Sequence, residues 1–388
     1  MKGHIRERSP GRWAIVIDVR DPQTGKRKRR WRSFKGTKRE AQTRCAQLIA
    51  ELESGTNIDP ARISVAAYLD QWLAHMRTQI SPRSYELYGE SIANIVPHIG
   101  HVVLSKLRPD AIAVMYAAAL ERGGQRGEGL APSSVKMMHG VLVQAFRQAV
   151  KWQLIGRNPV DAVSAPRVER RQMRVLDTDG AAAYLAAARG HEVFVPIMLG
   201  VLCGLRRGEI AALRWQDVNL DAGRLAVTGS MEQTAAGVRR KAPKSGRSRV
   251  IALPAIAIEE LRRHRLIQAE ALLRIGVRQS DDSPVCLRAN LQRWRPLDLS
   301  NRFITFVKAA GLPRVRFHDL RHSHATHLLM AGVHPKVTQE RLGHSSIMLT
   351  MDLYSHVLPA MQDEAAKSID AARSRRGFAG KARLGWAA

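Results

Sequence analysis

The polar, basic stretch Pro166-Arg167-Val168-Glu169-Arg170-Arg171 interrupts a chain otherwise patterned for packed helices, so the 388 residues must build at least two separate cores. Upstream of it, apolar residues recur at helical spacing through residues 65–79, 81–95, 109–121 and 133–152, which predicts a compact helical bundle over 61–163. The Gly-rich run 123–129 follows a helix and lacks a Gly-Lys-Ser/Thr ending, so it reads as an inter-helix loop and not a phosphate cradle. Asn158-Pro159 is expected to end the last helix of the bundle.

Ahead of the bundle, Trp13-Ala14-Ile15-Val16-Ile17-Asp18-Val19 and Arg29-Arg30-Trp31-Arg32-Ser33-Phe34 flank a turn at Asp21-Pro22-Gln23-Thr24-Gly25, and a helix is expected over 38–52. Residues 1–60 therefore form a small hairpin-plus-helix module. Its predicted tip carries Lys26, Arg27, Lys28, Arg29 and Arg30, with Trp31 and Phe34 interleaved. A basic run of this kind is a solvated loop by itself. The chain as a whole carries 62 Lys plus Arg against 34 Asp plus Glu, a formal charge of +28, which favours contact between that tip and a polyanion.

A membrane surface is the weaker choice of polyanion. The longest uncharged apolar run, 193–205, has 13 residues and contains Pro196, Gly200 and Gly204, against roughly 20 needed to span a bilayer. It is predicted to be a buried core helix. The charged start shows no secretory h-region, so a cytoplasmic location on DNA is expected. Cys45, Cys203 and Cys286 are odd in number and far apart, which points to reduced packing residues rather than disulfides or a thiolate zinc site.

Beyond the linker at 164–175, helices are expected at 180–188, 192–203, 208–213, 255–275, 300–310, 318–330, 335–342 and 346–354. Strands are expected at 224–228 and 248–253, with a polar, basic loop between them. The fold class is multidomain and mainly α with small β elements, ending in an α+β domain over 176–370 and a tail over 371–388.

Four clusters in this second half carry chemistry. In Gly204-Leu205-Arg206-Arg207-Gly208-Glu209 an arginine closes an apolar helix and a carboxylate follows three residues later; alone, this is a surface ion pair. Lys244 precedes a strand on a flexible turn, from which an ammonium can reach a phosphodiester and donate a proton; Lys241 competes for that role. His318 and Arg321, three apart on a helix, project from one face. The i, i+4 pair His318/His322 has zinc spacing but no HExxH glutamate, so no metal is expected. In Leu342-Gly343-His344-Ser345-Ser346, a turn presents His344, and Tyr354 ends the next helix ten residues later. Four of the six tyrosines fall in the bundle, which leaves Tyr184 and Tyr354 in the second half.

Gly-Leu-Arg-x-Gly-Glu, a basic turn lysine, His-Asp-Leu-Arg-His and Leu-Gly-His-Ser-Ser…Tyr-Ser-His occur here in the order found in the tyrosine recombinases, and the chain from about 176 to 359 resembles the catalytic domain of a phage-type integrase. The resemblance implies that Arg206 and Arg321 are the catalytic arginines, Lys244 the hairpin lysine, His318 and His344 the two histidines, Tyr354 the nucleophile and Glu209 the acid that orients the site. It implies a core-site DNA-binding domain at 61–163 and an arm-type DNA-binding module at 1–60. Cys203 stands where a hydroxyl residue is common. The expected activity is site-specific cleavage and rejoining of DNA through a 3′-phosphotyrosyl link, with no cofactor. The expected partners are double-stranded attachment sites, a homotetramer on DNA and accessory DNA-bending or directionality proteins. A type IB topoisomerase, nicking and resealing one duplex with a similar residue set, is the alternative, and the N-terminal module weighs against it.

Overall fold

The computed structural model describes residues 2–20, 27–53, 63–124, 127–169, 174–242, 248–344, 346–348, 350–351 and 370. The chain forms two compact units, Met1–Arg170 and Arg171–Ala388.

The first unit opens with an antiparallel sheet in the order β1 (Lys2–Ser9), β2 (Arg12–Arg20), β3 (Arg27–Lys35), followed by α1 (Lys38–Glu53). Thr37 and Glu40 close a reciprocal cap at the start of α1, each bonding the other's backbone N–H. Ile15 and Ile17 of β2 pack with Cys45 and Leu48 of α1, so one sheet face is covered by the helix. The predicted hairpin is thus three strands. Strand β1 was not expected because Lys2, His4, Arg6, Glu7 and Arg8 leave Ile5 as its main apolar contribution to that core. The expected turn at 21–25 and Lys26 lie outside the described residues. Arg27, Lys28, Arg29 and Arg30 belong to β3, paired in register with Arg20, Val19, Asp18 and Ile17.

The bundle has four helices: α2 (Val65–Met76), α3 (Pro82–Ile99), α4 (Pro109–Arg122) and α5 (Pro132–Lys151). Ser64 and Ser81 cap the first two with their hydroxyls, and proline opens α3, α4 and α5, where its missing N–H is not needed. Tyr68, Leu69, Trp72, Ile95, Ile112, Leu142 and Phe146 form the core. Asn158 does not close α5, which ends at Lys151; it caps a separate short 3-10 turn, Pro159–Ala162.

The second unit is assembled around α7 (Phe194–Cys203), the predicted apolar run, buried at Val195 to Val201 and again at Cys203. Before it comes α6 (Thr178–Ala188) and after it α8 (Arg207–Ala212). Strands β4 (Val218–Asn219), β5 (Arg224–Val227) and β8 (Arg249–Ala252) make one sheet, and β6 (Ser230–Thr234) with β7 (Gly237–Lys241) makes a separate hairpin. That hairpin occupies the stretch expected to be a loop. Among the described residues the unit continues with α9 (Ala255–Arg274), α10 (Pro296–Ala309), α11 (Phe317–Met330) and α12 (Pro335–Leu342). Helix α7 packs against α6, α8, α9 and α11, and α8 packs against β6. All three cysteines are buried free thiols. Among the described residues no helix is long and apolar enough to cross a membrane.

Two glycines shape the ground on which the site is built. Gly204 ends α7 and Gly343 ends α12, both left-handed at φ 67° and 65°, a conformation that strains residues with a Cβ. A Cβ on Gly204 would also sit 2.6 Å from the His324 ring.

Candidate active site

Helices α8 and α11 begin in the same way. An arginine occupies the N-cap and a carboxylate the N3 position, so the carboxylate receives the cap's backbone N–H and its guanidinium together. At α8 this box fixes Arg206: its backbone N–H donates to Glu209 Oε2 at 2.9 Å and its Nη1 to Glu209 Oε1 at 2.9 Å. At α11, Arg316 and Asp319 repeat the arrangement, with Arg316 Nη2 donating to Asp319 at 2.8 Å. The start of α11 is thereby fixed just where His318 projects, one turn before Arg321.

Three guanidiniums from three elements then meet three consecutive carbonyls at the end of α12. Arg249 Nε of β8 donates to the Arg341 carbonyl at 2.8 Å, Arg321 Nη2 to Leu342 at 2.5 Å, and Arg206 Nη2 to Gly343 at 3.0 Å. Arg321 also gives Nη1 to the Gly204 carbonyl at 2.6 Å. Like charges so close repel; the negative end of the α12 dipole and the Glu209 carboxylate offset that repulsion. Glu209 accepts from Arg249 at 3.0 and 2.8 Å and lies 3.9 Å from Arg321. Burial alone would raise its pKa; hydrogen bonds and charge from Arg249, with Arg206 assisting, hold it at about 2. Arg321 is 2% exposed, and burial together with the Arg206 charge lowers its proton affinity, yet a guanidinium so placed stays charged.

Two imidazoles border the cluster. His344 follows Gly343; its backbone N–H donates to the Gln339 carbonyl at 3.1 Å, and its Nδ1 lies 3.0 Å from the Thr350 hydroxyl. Burial first, then Arg321 and Arg206, push its pKa down to about 3. His318 is exposed at the surface, yet the protein around it partly desolvates its ring. That desolvation, with charge from His322, Arg321 and Arg206, lowers it to about 4. Both rings are therefore neutral near pH 7, each with one N–H to donate.

Behind this layer, His324 shares Nδ1 with the Val201 carbonyl at 2.9 Å and accepts from Arg341 Nε at 3.0 Å, so the hydrogen is assigned to Nδ1. On the β6–β7 hairpin, buried Glu232 binds Arg239 at 2.8 Å and Lys241 at 2.5 Å, so the ammonium of Lys241 is held in an ion pair. Lys244 and Tyr354 lie outside the described residues. Tyr184 is fully buried and donates its hydroxyl to the Pro313 carbonyl.

The sequence matches the Phage integrase family over residues 169–361, an Arm DNA-binding domain over 5–52 and the N-terminal SAM-like domain of phage integrases over 64–115. The chain belongs to the tyrosine recombinase family. Among curated relatives, this recombinase is 24% identical to a tyrosine recombinase XerC-like protein of Caldanaerobacter subterraneus, covering 92% of this chain and 95% of that one. It is 26% identical to the ICEBs1 integrase of Bacillus subtilis, covering 90% and 94%. Among solved structures, the fold matches the Tn1549 transposon integrase in complex with transposon right end DNA, at TM-score 0.66 and 19% identity over 78% of this chain and 100% of that one. It also matches a lambda integrase dimer bound to a core site, at TM-score 0.57 and 21% identity over 90% and 93%.

Of the residues singled out from sequence, the structure brings Arg206, Glu209, Arg321, His318 and His344 to one place. Within the N-terminal basic run, Arg29 is described and meets Asp18 at 3.3 Å at the sheet surface. Sequence reasoning missed Arg249, Gln339 and Thr350. One signal for Arg249 was available: it shares a strand face with core residue Ile251, and a charged residue on an inward face needs a buried partner.

Proposed function

We propose that this recombinase cuts and rejoins DNA strands at the attachment sites of a mobile element, with Arg206, Glu209, Lys244, His318, Arg321, His344 and Tyr354 as its catalytic set. One observation carries the reading: three guanidiniums, fixed by carbonyls at the end of α12, and the carboxylate they share leave the cluster two positive charges in excess beside two neutral imidazole donors. A phosphodiester bears one negative charge and its pentacoordinate transition state two. A site carrying +2 favours the second over the first, which is the differential stabilisation that catalysis requires.

In this mechanism Arg206 and Arg321 clamp the non-bridging oxygens, with His318 and His344 adding hydrogen bonds. A phenol of pKa near 10 must pass its proton to water as it attacks, and the guanidinium field lowers the cost of that loss. The Tyr354 oxygen bonds to phosphorus as the bond to the 5′-oxygen breaks, and Lys244 protonates that leaving oxygen. The 3′-phosphotyrosyl link conserves the ester, so a 5′-hydroxyl from a second strand can attack it, release the tyrosine and reseal the DNA without ATP. Exchange between duplexes calls for four protomers on two sites, acting on DNA in the cytoplasm, with accessory DNA-bending or directionality proteins setting the outcome. The N-terminal module, with Lys26, Arg27, Lys28, Arg29 and Arg30, would hold separate arm sequences.

The proton donor gives the sharpest test. On a nicked duplex bearing the attachment sequence, taken from the repeats at the ends of the inserted element, the intact protein should form a covalent adduct in EDTA. Lys244→Ala should slow this by about 10²-fold or more and recover when the leaving 5′-oxygen is replaced by sulfur, which departs without a proton. Lys241→Ala, whose ammonium is held by Glu232, should change the rate by less than about threefold. The reverse ranking of the two lysines would move the acid to Lys241, and absence of any adduct would contradict the function.

A further inference from the structure

We infer that Arg249 is a positioning residue for DNA cleavage, holding Arg206 and Arg321 in register through Glu209 and through the last turn of α12. This rests on the proposed function of the cluster and adds a residue whose guanidinium faces the protein and not the DNA. Each of its three nitrogens is engaged: Nε with the Arg341 carbonyl at 2.8 Å, Nη1 with Glu209 Oε1 at 3.0 Å and Nη2 with Glu209 Oε2 at 2.8 Å. Its side chain is 11% exposed against 33% for Arg206, and all of its nitrogens are spent on protein acceptors. Gly343 lets the turn close over it, since a Cβ there would come within 3.0 Å of the Arg249 side chain.

Two routes run from Arg249 to the same pair of guanidiniums. The first passes through Glu209. With Arg249 in place, both carboxylate oxygens are shared, Oε1 with Arg206 Nη1 and Oε2 with the Arg206 backbone. Remove it, and a buried carboxylate is left between Arg206 at 2.9 Å and Arg321 at 3.9 Å, free to rotate toward either. The second passes through the backbone. The Arg341 carbonyl that Arg249 fixes is followed directly by those of Leu342 and Gly343, which hold Arg321 and Arg206. A lysine here would supply charge but neither the bidentate fork to Glu209 nor a separate donor to Arg341.

A double-substitution cycle on the full chain tests this, reading single-turnover cleavage of the nicked attachment-site duplex beside equilibrium affinity for it. Arg249→Ala should slow cleavage by about 100-fold with affinity within about twofold of the parent, and Arg249→Lys should recover about tenfold of the loss. Glu209→Gln added to Arg249→Ala should slow the reaction no further than about threefold beyond the slower single variant, because both act on the same guanidiniums. Losses that multiply would overturn the inference, as would Arg249→Ala cleaving within about twofold of the parent, or a defect confined to affinity. A parent protein that forms no adduct contradicts the proposed function instead.

Discussion

The N-terminal sheet and the cluster at the end of α12 both present arginine, and they use it in opposite ways. On the sheet, Arg29 is 69% exposed with one loose ion pair, and Arg6, Arg8, Arg12 and Arg32 are also exposed. In the cluster, Arg321 is 2% exposed and Arg249 11%, and every guanidinium is fixed by at least two protein acceptors. Exposed charge attracts DNA phosphates from a distance and is screened by salt. Fixed charge in a dry setting costs desolvation, which carbonyls and Glu209 offset, and it gains electrostatic strength against a charge that develops in place. Affinity should therefore belong to the first region and rate to the second.

The largest effect that could break this contrast is on rate. Arg321→Ala removes one of 62 basic residues, so by charge count alone DNA affinity should hardly change. Cleavage should fall by about 10³-fold, measured in single turnover on the nicked duplex. A matching loss of affinity would mean that the cluster serves binding and that the distinction fails.

The converse change lies in the N-terminal module. Replacing Lys26, Arg27, Lys28, Arg29 and Arg30 with Gln in the full chain should leave cleavage of a short core-site duplex within about twofold. On long DNA with separate arm sequences, the dependence of log affinity on log salt should flatten by about 0.9 for each phosphate that the module no longer neutralises. Unchanged salt dependence would show that the basic run is solvated.

A further contrast between the two regions concerns pH. Burial, with Arg341 adding charge, pushes His324 down to about 3 from 6.5, so the unfolded chain binds a proton there that the folded one refuses. Stability should be unaffected by this group above pH 6.5 and should fall steadily as pH drops below it toward 3. His324→Asn, which can keep one donor and one acceptor, should flatten that slope in denaturant titrations of the second unit's transition. Hydrogen exchange in β2, corrected for intrinsic rate, should not follow it. An equal slope in parent and variant would remove His324 from the acid response.

What the sequence made legible follows from the range of each interaction. Arg206 and Glu209 lie three residues apart, so helix geometry alone joins them. The apolar run around α7 was readable because burial needs no partner identity. Arg249 was readable at most as a charge on an inward strand face, and its partner was not, since that carboxylate lies 40 residues away. The β6–β7 hairpin looked like a loop because Glu232, Arg239 and Lys241 are charged; in the fold they neutralise one another across the strands. Strand β1 escaped for a related reason, with its charged residues hiding a pairing partner for β2. The expected fold class holds, as mainly helical with small sheets in several domains.

The central claim is that this arginine cluster serves a tyrosine nucleophile, and the most direct test is to identify the residue that carries the DNA. Trapped adduct from the nicked duplex, digested with nuclease and protease, should yield one phosphotyrosyl peptide, and its modified residue should be Tyr354. Tyr354→Phe should then bind with unchanged affinity and form no adduct. Tyr184 is the competing tyrosine of this unit, and its buried hydroxyl is engaged with Pro313. Adduct mapped to Tyr184, or undiminished adduct in Tyr354→Phe, would contradict the account.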